Sequence, residues 1–497
     1  MKTLRCLLLI LLAVVVVPSA RAHVGSKDVF ETVSSGQYKL FVTIRMPTVI
    51  PGVAVVEVRS TGAPVTGLHI TPMPMTGEAA KHPPTSDAMQ RSTTDPAFFT
   101  GSIWMMASGS WEVRFDIAGA AGEGKASVPV PAVAVTTLKM QRGMGVVLGL
   151  LGLFLVISMA GIIAAAVREA RLQPGQTAPA SRRRRALIAM ATSLAVMGLM
   201  VYGGAKWWDA EAAGYAEGVY RPLEAHAGLK GDVLDLQLKS FRPSDEEAKL
   251  SRSNNDLLPD HGHLMHLYAI RQPEMDAVFH LHPELVGPGD FRMTLPAMPE
   301  GRYTLYGDIV HANGFPETIV AALDVPASMT GGTPGPDDAI AHPAPLSQGM
   351  LGTTYKLPDG YTMVWDRPAG LTASTAYEFH FRLLAPDGSP ATDVQPYMGM
   401  AGHAAFVKTD GTVFAHTHPE GSAAMAAMTL ANGDGGAGGP SDGAMDAMPG
   451  MQMASSQPLS NAVDFPYGFP TSGRYRIFIQ MKHGTTIETG SFDTNVQ

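Results

Sequence analysis

Val278-Phe-His280-Leu-His282-Pro283-Glu284 and Phe414-Ala-His416-Thr-His418-Pro419-Glu420 are two copies of one pattern in a chain of 497 residues. Upstream stand Met265-His266-Leu-Tyr-Ala-Ile and Gly402-His403-Ala-Ala-Phe-Val. Downstream stand Gly301-Arg302-Tyr303 with His311 and Glu317-Thr318, and Gly473-Arg474-Tyr475 with His483 and Glu488-Thr489. The glycine of Gly-Arg-Tyr precedes the next histidine by ten positions in both copies. The chain is therefore expected to hold a duplicated module, residues 231–326 and 350–497, joined by the Pro/Gly-rich stretch 327–349. Each copy has an opening strand (from Val233 and from Tyr377), the His hairpin, an Asp-Phe pair (Asp290-Phe291; Asp464-Phe465) and the Gly-Arg-Tyr strand. Short strands divided by turn residues are sandwich material.

What the duplication preserves best is imidazole. Side chains alternate along a strand, so His-x-His puts two rings on one face, and imidazole is the commonest metal-binding side chain. A third ring comes from the preceding strand of the hairpin. His311 and His483 end the following strands, on the parity of Tyr303, Leu305 and Ile309 or of Tyr475, Ile477 and Ile479. The expectation is a three- or four-histidine site in each copy: His266, His280, His282 and His311 in the first, His403, His416, His418 and His483 in the second. The alternative is a structural corner whose imidazoles bond backbone carbonyls. Parity does not separate the two readings, because Phe279 and Leu281 face away from the histidines while Phe414 shares their face.

Lys2 and Arg5, the apolar run from Cys6 to Val17 and then Pro18-Ser-Ala20-Arg-Ala22 have the regions of a secretory signal, residues 1–22. The only cysteine, Cys6, lies inside it, which removes disulfides and thiolate ligands from the mature chain. Residues 143–167 and 186–205 are free of charge and long enough to span a bilayer. Between them, residues 168–185 carry Arg168, Arg171 and the run Arg182 to Arg185. The positive-inside rule makes that loop cytoplasmic and both large flanking regions extracytoplasmic. Residues 206–230 read as a connector. The net charge of -8 gives no sign of a nucleic-acid partner.

Residues 23–137 carry short alternating runs punctuated by Gly and Pro and read as a small immunoglobulin-like sandwich. The fold expected is mainly β: three extracytoplasmic immunoglobulin-like β-sandwich domains plus a two-helix transmembrane hairpin. Residues 421–456, an insertion in the second copy rich in Gly, Ala and Ser, are expected to be disordered. They contain Met425, Met428, Met445, Met448, Met451 and Met453, and thioether suits Cu(I). Cleavage after Ala22 makes His23 the mature N-terminus, whose amine and ring chelate Cu(II) well. His69, Met73, Met75 and His82 offer further ligands.

The N-terminal region resembles the small YtkA-like and FixH-like sandwiches of bacterial membranes, and its His23 start and Met-Pro-Met string resemble CopC-like periplasmic copper carriers. The repeated modules resemble exported bacterial proteins with an "MHL…FxHLHPE" signature. The resemblance implies metal handling by His266, His280 and His282 and by His403, His416 and His418, with His23 carried over from the CopC-like proteins.

Three functions follow. The first is a membrane-anchored, extracytoplasmic metal-binding protein handling copper for tolerance, buffering or delivery, with Cu(II) on the histidines and Cu(I) on Met448, Met451 and Met453. Its partners would be the metal ion, the lipid bilayer and a cuproenzyme or metal exporter, and zinc is the rival occupant. The second is a zinc metallohydrolase, but the Ser and Asp that should follow His-Thr-His-Pro are missing from both copies. The third is a non-metal scaffold or assembly factor.

Overall fold

The computed structural model describes residues 27–170, 172–173, 175–239, 250, 252–433 and 459–497. Residues 1–22, expected to be a secretory signal, and His23, Met445, Met448, Met451 and Met453 lie outside the described residues. The chain divides into two compact units, residues 1–132 with 221–497, and residues 133–220.

The first unit is built from antiparallel sheets in pairs. In the N-terminal pair, a sheet ordered Val29–Ser35, Tyr38–Arg45, Gly52–Ser60, Phe98–Met105, Gln90–Arg91 packs on one ordered Asp87–Ala88, Val65–Pro74, Gly109–Gly119, Gly122–Ala132. Alternation supplies the core, with Leu40, Val42, Ile44, Val56, Val58, Phe115 and Val128 inward.

The duplicated modules share one topology. In the first, the Gly301–His311 strand lies between Leu257–Leu258 and His266–Gln272, and His266–Gln272 pairs on to Val278–Leu281. In the second, Gly473–His483 lies between Val394–Gln395 and His403–Lys408, and the latter pairs with Phe414–Thr417. A four-stranded sheet backs each: Ala225–Lys230, Val233–Leu238, Asp290–Thr294, Glu284–Gly287 in one, and Thr354–Lys356, Thr362–Asp366, Ala376–Leu384, Ala462–Gly468 in the other. Leu267, Ala269, Phe279, Tyr303, Leu305 and Ile309 fill the first sandwich, and Phe406, Tyr475, Ile477, Ile479 and Met481 belong to the core of the second.

The opposite face of each His-bearing sheet is also buried, because the modules pack face to face. Tyr268, Ile270, Met275, Val278 and Tyr306 of the first meet Ala405, Val407, Phe414 and Phe478 of the second in a core of their own. Tyr306 and Phe414 stack at 4.3 Å and 3°. Arg476, fully buried, pairs with Asp493 at 2.8 and 2.9 Å and donates across to the carbonyls of Met275 and Ala344 at 3.0 and 2.8 Å.

Several boundaries differ from the sequence reading. Ala225–Lys230, expected as connector, is the edge strand hairpinned onto Val233–Leu238. The stretch 327–349 is more than a linker: Ala339–Ala341 pairs with the His280 strand. Residues 421–433 of the insertion are ordered, and Met425–Asn432 is a helix, α3. Its alanines pack on Val310, and Met428 packs on the N-terminal core, so that thioether has a packing role. Asn432 grips the Ser127 backbone at 2.9 and 3.1 Å. Gly421 bridges Glu31, and a Cβ there would collide with the Phe30 carbonyl.

The second unit holds two helices, α1 (Arg142–Glu169) and α2 (Ala180–Glu217), each long and apolar enough to cross a membrane. Arg182 to Arg185 stand on the first turns of α2 rather than in a loop, and α2 continues through Trp207-Trp208 to Glu217. Nothing in that stretch interrupts a helix, since Ala, Glu and Lys are good helix formers.

Glu31 generates a test of the insertion's docking. It is fully buried, its Oε2 accepts from the Ala423 amide at 3.0 Å, and burial pushes its carboxyl well above the usual range, with Glu420 adding to the effect. The folded state therefore holds a proton that the unfolded chain releases, so stability drains as pH rises above about 4.5, by about 1.4 kcal/mol per pH unit. Glu31→Gln should melt above the wild type at pH 7 and converge with it near pH 4, measured by thermal unfolding across that range.

Candidate metal centre

In an antiparallel ladder, residues directly opposite share a face. Tyr268 opposes His280 and His266 opposes Asp308, while Ala405 opposes His416 and His403 opposes Gln480. All these lie on the face that meets the other module. The six histidines of the two hairpins are thereby brought into one cluster at the module interface. His266 and His416 rings are 5.3 Å apart, His280 and His416 5.5 Å, and His403 and His416 5.4 Å.

Two triads stand out. The first is His266, His280 and His282, with ring separations of 4.7 to 5.3 Å. The second is His261, His403 and His418, at 4.9 to 5.3 Å. In each, one nitrogen per ring lies within 4.8 Å of the others. His416 stands between them, its Nδ1 3.3 Å from Asp308 Oδ2 and its Nε2 without a partner.

The outer nitrogens of the first triad are committed. His266 Nε2 faces the Asp260 carbonyl at 3.1 Å, His280 Nδ1 faces Gln480 Oε1 at 2.8 Å, and His282 Nδ1 faces Asp338 Oδ1 at 3.2 Å. These partners accept, and Gln480 Oε1 also receives the Tyr268 hydroxyl at 3.2 Å. With Gln480 presenting its oxygen, each outer nitrogen donates, which leaves the inner nitrogens of neutral rings as bare lone pairs. Yet His266 Nδ1 and His280 Nε2 lie 3.1 Å apart. Two acceptors bridged by one water stand about 4.5 Å apart, so with Gln480 in this orientation a proton or a metal ion relieves the contact, and with its amide turned over an N–H···N bond from His280 to His266 does. Two nitrogens bound to one metal at about 2.0 Å come to roughly this separation. Burial, reinforced by the neighbouring rings, pushes both imidazoles well below their ordinary value, which opposes the proton.

In the second triad, both nitrogens of His403, both of His418 and Nε2 of His261 have no hydrogen-bond partner. His403 is fully buried, and burial holds His418 down to about 3.

His261 and His263 were missed in the sequence because the repeat does not preserve them. Asp260-His261-Gly262-His263 is a tight turn closed by backbone bonds of 2.8 and 2.9 Å, with φ of 51° and 87° at its centre. Positive φ at both central residues is the type I′ pattern, which suits Gly and tolerates His. The second module has the same turn, Tyr397-Met398-Gly399-Met400, with φ of 48° and 84°. Both turns end three positions before the next histidine, so Met398 and Met400 occupy the positions of His261 and His263. The available signal was the spacing: His261-x-His263 repeats the His-x-His of the strands.

His311 and His483 do not join the cluster. Their parity is that of the sandwich interiors, opposite to Asp308 and Gln480, so they emerge on the far side of the sheet. His311 lies between Asp256 and Glu317 at 3.1 and 3.2 Å, and Arg252 reaches the same Glu317 at 2.6 Å. His483 lies beside Asp359 and Asp393, with Glu488 nearby, whose carboxyl burial pushes up to about 7. In the N-terminal sandwich His69 and His82 are exposed, Met73 is buried, and Met75 Sδ accepts from Ser110 Oγ at 3.1 Å.

The family model "Domain of unknown function (DUF8832)" matches residues 354–497, the second module. Comparison with curated proteins gives no match. Among solved structures, a tetra-tandem repeat from the extending region of a large adhesion protein is 8% identical, with 95% of this chain and 75% of that chain covered at a TM-score of 0.16. A putative membrane anchored protein from Corynebacterium diphtheriae is 9% identical over 94% of this chain and 96% of its own, at 0.15. An ICAM-5 ectodomain fragment is 8% identical over 92% and 77%, at 0.14.

A buried ring with two unpartnered nitrogens is a liability without a ligand. Replacing His403 by Leu removes both orphaned groups, so at about 1–3 kcal/mol for each, His403→Leu should stabilise the metal-free protein by about 2–6 kcal/mol. The gain should grow below about pH 6.5, where the unfolded wild type protonates this ring and the folded one resists. Thermal unfolding of chelator-treated protein at pH 7.5 and 5.5 measures both effects.

Proposed function

We propose that this chain is a membrane-anchored metal-binding protein whose principal site is the histidine cluster between its two modules. The observation that carries the reading is the convergence of His266, His280 and His282, with His266 Nδ1 and His280 Nε2 3.1 Å apart, in a cluster whose outer nitrogens are held by Asp260, Gln480 and Asp338. Outer partners of this kind fix the ring orientation and tautomer of metal-bound histidines. Two ions fit the two triads, with His416 placed to serve either. The rings are buried, which suits storage or transfer of a metal rather than a catalytic site with an open position.

Copper is favoured over zinc. Imidazole serves both, but Met398 and Met400 stand where the first module has His261 and His263, and Met448, Met451 and Met453 follow in the insertion. Thioether is a soft ligand that suits Cu(I). In this reading α1 and α2 cross the membrane as a hairpin, Arg182 to Arg185 lie on the cytoplasmic side, and three immunoglobulin-like sandwiches stand outside the cytoplasm. Buffering, tolerance and delivery to a cuproenzyme or exporter all use this chemistry.

The test uses the full-length protein in detergent, stripped of metal, loaded with copper and measured by elemental analysis. His266→Ala with His280→Ala should remove one equivalent, and His403→Ala with His418→Ala another. His261→Ala, a change in the first module, should weaken the site whose other ligands come from the second. Copper content unchanged in all three variants would sink the proposal.

Deletion of residues 434–456, which spares α3, separates the metals. It should leave Cu(II) binding intact and lower Cu(I) affinity in competition with a chromogenic chelator. If it alters neither, zinc becomes the better assignment for the histidines.

A further inference from the structure

The duplication places a second, smaller cluster at the far edge of each sheet, and the two copies differ there in one charge. Leu257 opposes His311 and Val394 opposes His483, so Asp256 and Asp393, the preceding residues, are equivalent. Ile309 opposes Glu317 and Met481 opposes Glu488, so these glutamates are equivalent too. Each copy thus has the same buried imidazole flanked by the same two carboxylates.

The fourth member is what changed. In the first copy it is Arg252, whose Nη1 lies 2.6 Å from Glu317 Oε1, with both side chains almost fully buried. Glu317 there is neutralised by a guanidinium. In the second copy the fourth member is Asp359, whose Oδ2 lies 2.7 Å from His483 Nε2. Three carboxylates now surround the ring, and among the described residues no Lys or Arg forms an ion pair with Asp359, Asp393 or Glu488.

The geometry at His483 is that of a ligand set rather than a hydrogen-bonded pair. His483 is 6% exposed, and despite the short approach of Asp359 its Nε2 has no hydrogen-bond partner, because the carboxylate stands off the N–H direction. One ring nitrogen of His483 and one oxygen each of Asp359 and Glu488 lie within 4.8 Å of one another, and Asp359 approaches from the Nε2 side. Asp393 sits on the other side of the ring, 3.5 Å from Nδ1, and is itself held by the Tyr361 hydroxyl at 3.1 Å. Tyr361 also stacks on the imidazole at 3.9 Å. A carboxylate on one ring nitrogen and a converging ligand set on the other is the carboxylate–histidine–metal arrangement.

We propose that Asp359, His483 and Glu488 bind a divalent cation of borderline hardness, with zinc the best fit, and that Asp393 orients the imidazole. One nitrogen and two carboxylate oxygens leave a fourth, tetrahedral position for water. Without thioether or further imidazole, the set has no preference for Cu(I). In the first copy the Arg252 guanidinium takes the cation's place, so His311 binds no metal.

The test is titration of the stripped full-length protein with zinc alone, followed by chelator competition and by the zinc-induced shift in melting temperature. Asp359→Arg recreates the charge pattern of the first copy. It should lose one zinc equivalent, or weaken it at least tenfold, while metal-free melting stays at or above the wild-type value. Glu488→Gln should lose the same equivalent should the arginine variant fail to fold. His311→Ala should lose none. The equivalent should persist when His266 and His403 are both changed to Leu, which keeps the outcome separate from that of the central cluster. If the central proposal fails and this one holds, the Asp359 and Glu488 variants alone abolish zinc binding. Identical zinc titrations of the wild type, Asp359→Arg and Glu488→Gln would overturn it.

Discussion

Everything at the centre of this molecule depends on the burial of one sheet face by its duplicate. Each His-bearing sheet packs one side on its own sandwich and the other on the second module, so polar groups that a lone module would leave in water are removed from it. Burial of this kind is tolerated where partners are supplied, and the supply is reciprocal. Asp308 of the first module reaches His416 of the second, and Gln480, its equivalent, reaches His280 of the first. Thr318 bonds Asp308, and Thr489 lies 3.5 Å from the Gln480 amide nitrogen. The contacts follow a pseudo-twofold relation between the copies, the arrangement expected when a self-complementary surface is duplicated within one chain.

The same constraint decides what sequence could reveal. Strand alternation showed that His280 and His282 share a face and that a hairpin adds His266. It also showed that Phe414 shares the face of His416, which looked like a conflict with a polar site. The conflict disappears once a second sheet covers that face, because Phe414 then stacks on Tyr306 beside the rings. Face-to-face packing of distant segments leaves no local periodic signal, so the sequence could yield the triads' members but not their union. Parity did contain the answer for His311 and His483, which alternate with Tyr303, Leu305, Tyr475 and Ile477, all residues of the sandwich interiors. The insertion was misread for a related reason. Gly-, Ala- and Ser-rich composition describes a segment with little to bury, but Ala426 and Ala427 need little room, and their smallness lets α3 lie close on Val310. The Ala426 amide at the start of that helix is bonded by the Asp260 carboxylate, from a distant part of the chain.

Where the copies diverge is as informative as where they agree. The shared residues form ladders, cores and the paired His-x-His strands. The differences fall at the turn (His261 and His263 against Met398 and Met400), at the reciprocal outer partner (Asp308 against Gln480) and at the sheet edge (Arg252 against Asp359). The first two exchanges alter hardness or charge while the backbone around them keeps its left-handed turn or its register, whereas Arg252 and Asp359 reach the sheet edge from different segments. A scaffold that repeats while its donor atoms change is one that can offer two metals, or two oxidation states, separate places in one chain.

The cost of the central cluster indicates why a ligand and the fold should be coupled. Seven ring nitrogens there, on His261, His282, His403, His416 and His418, have no hydrogen-bond partner. At about 1–3 kcal/mol for each buried unsatisfied group, they oppose folding by about 7–20 kcal/mol, as much as the net stability of an ordinary domain. Water offsets part of this where rings stand far enough apart. A cation held by His261, His403 and His418 contributes directly to the cohesion of the two modules, since its ligands come from both. On the proposed function, the interface would be tight when the metal is bound and strained when it is not. That difference is a physical means by which a metal-handling protein can present different surfaces to a partner in its loaded and empty states.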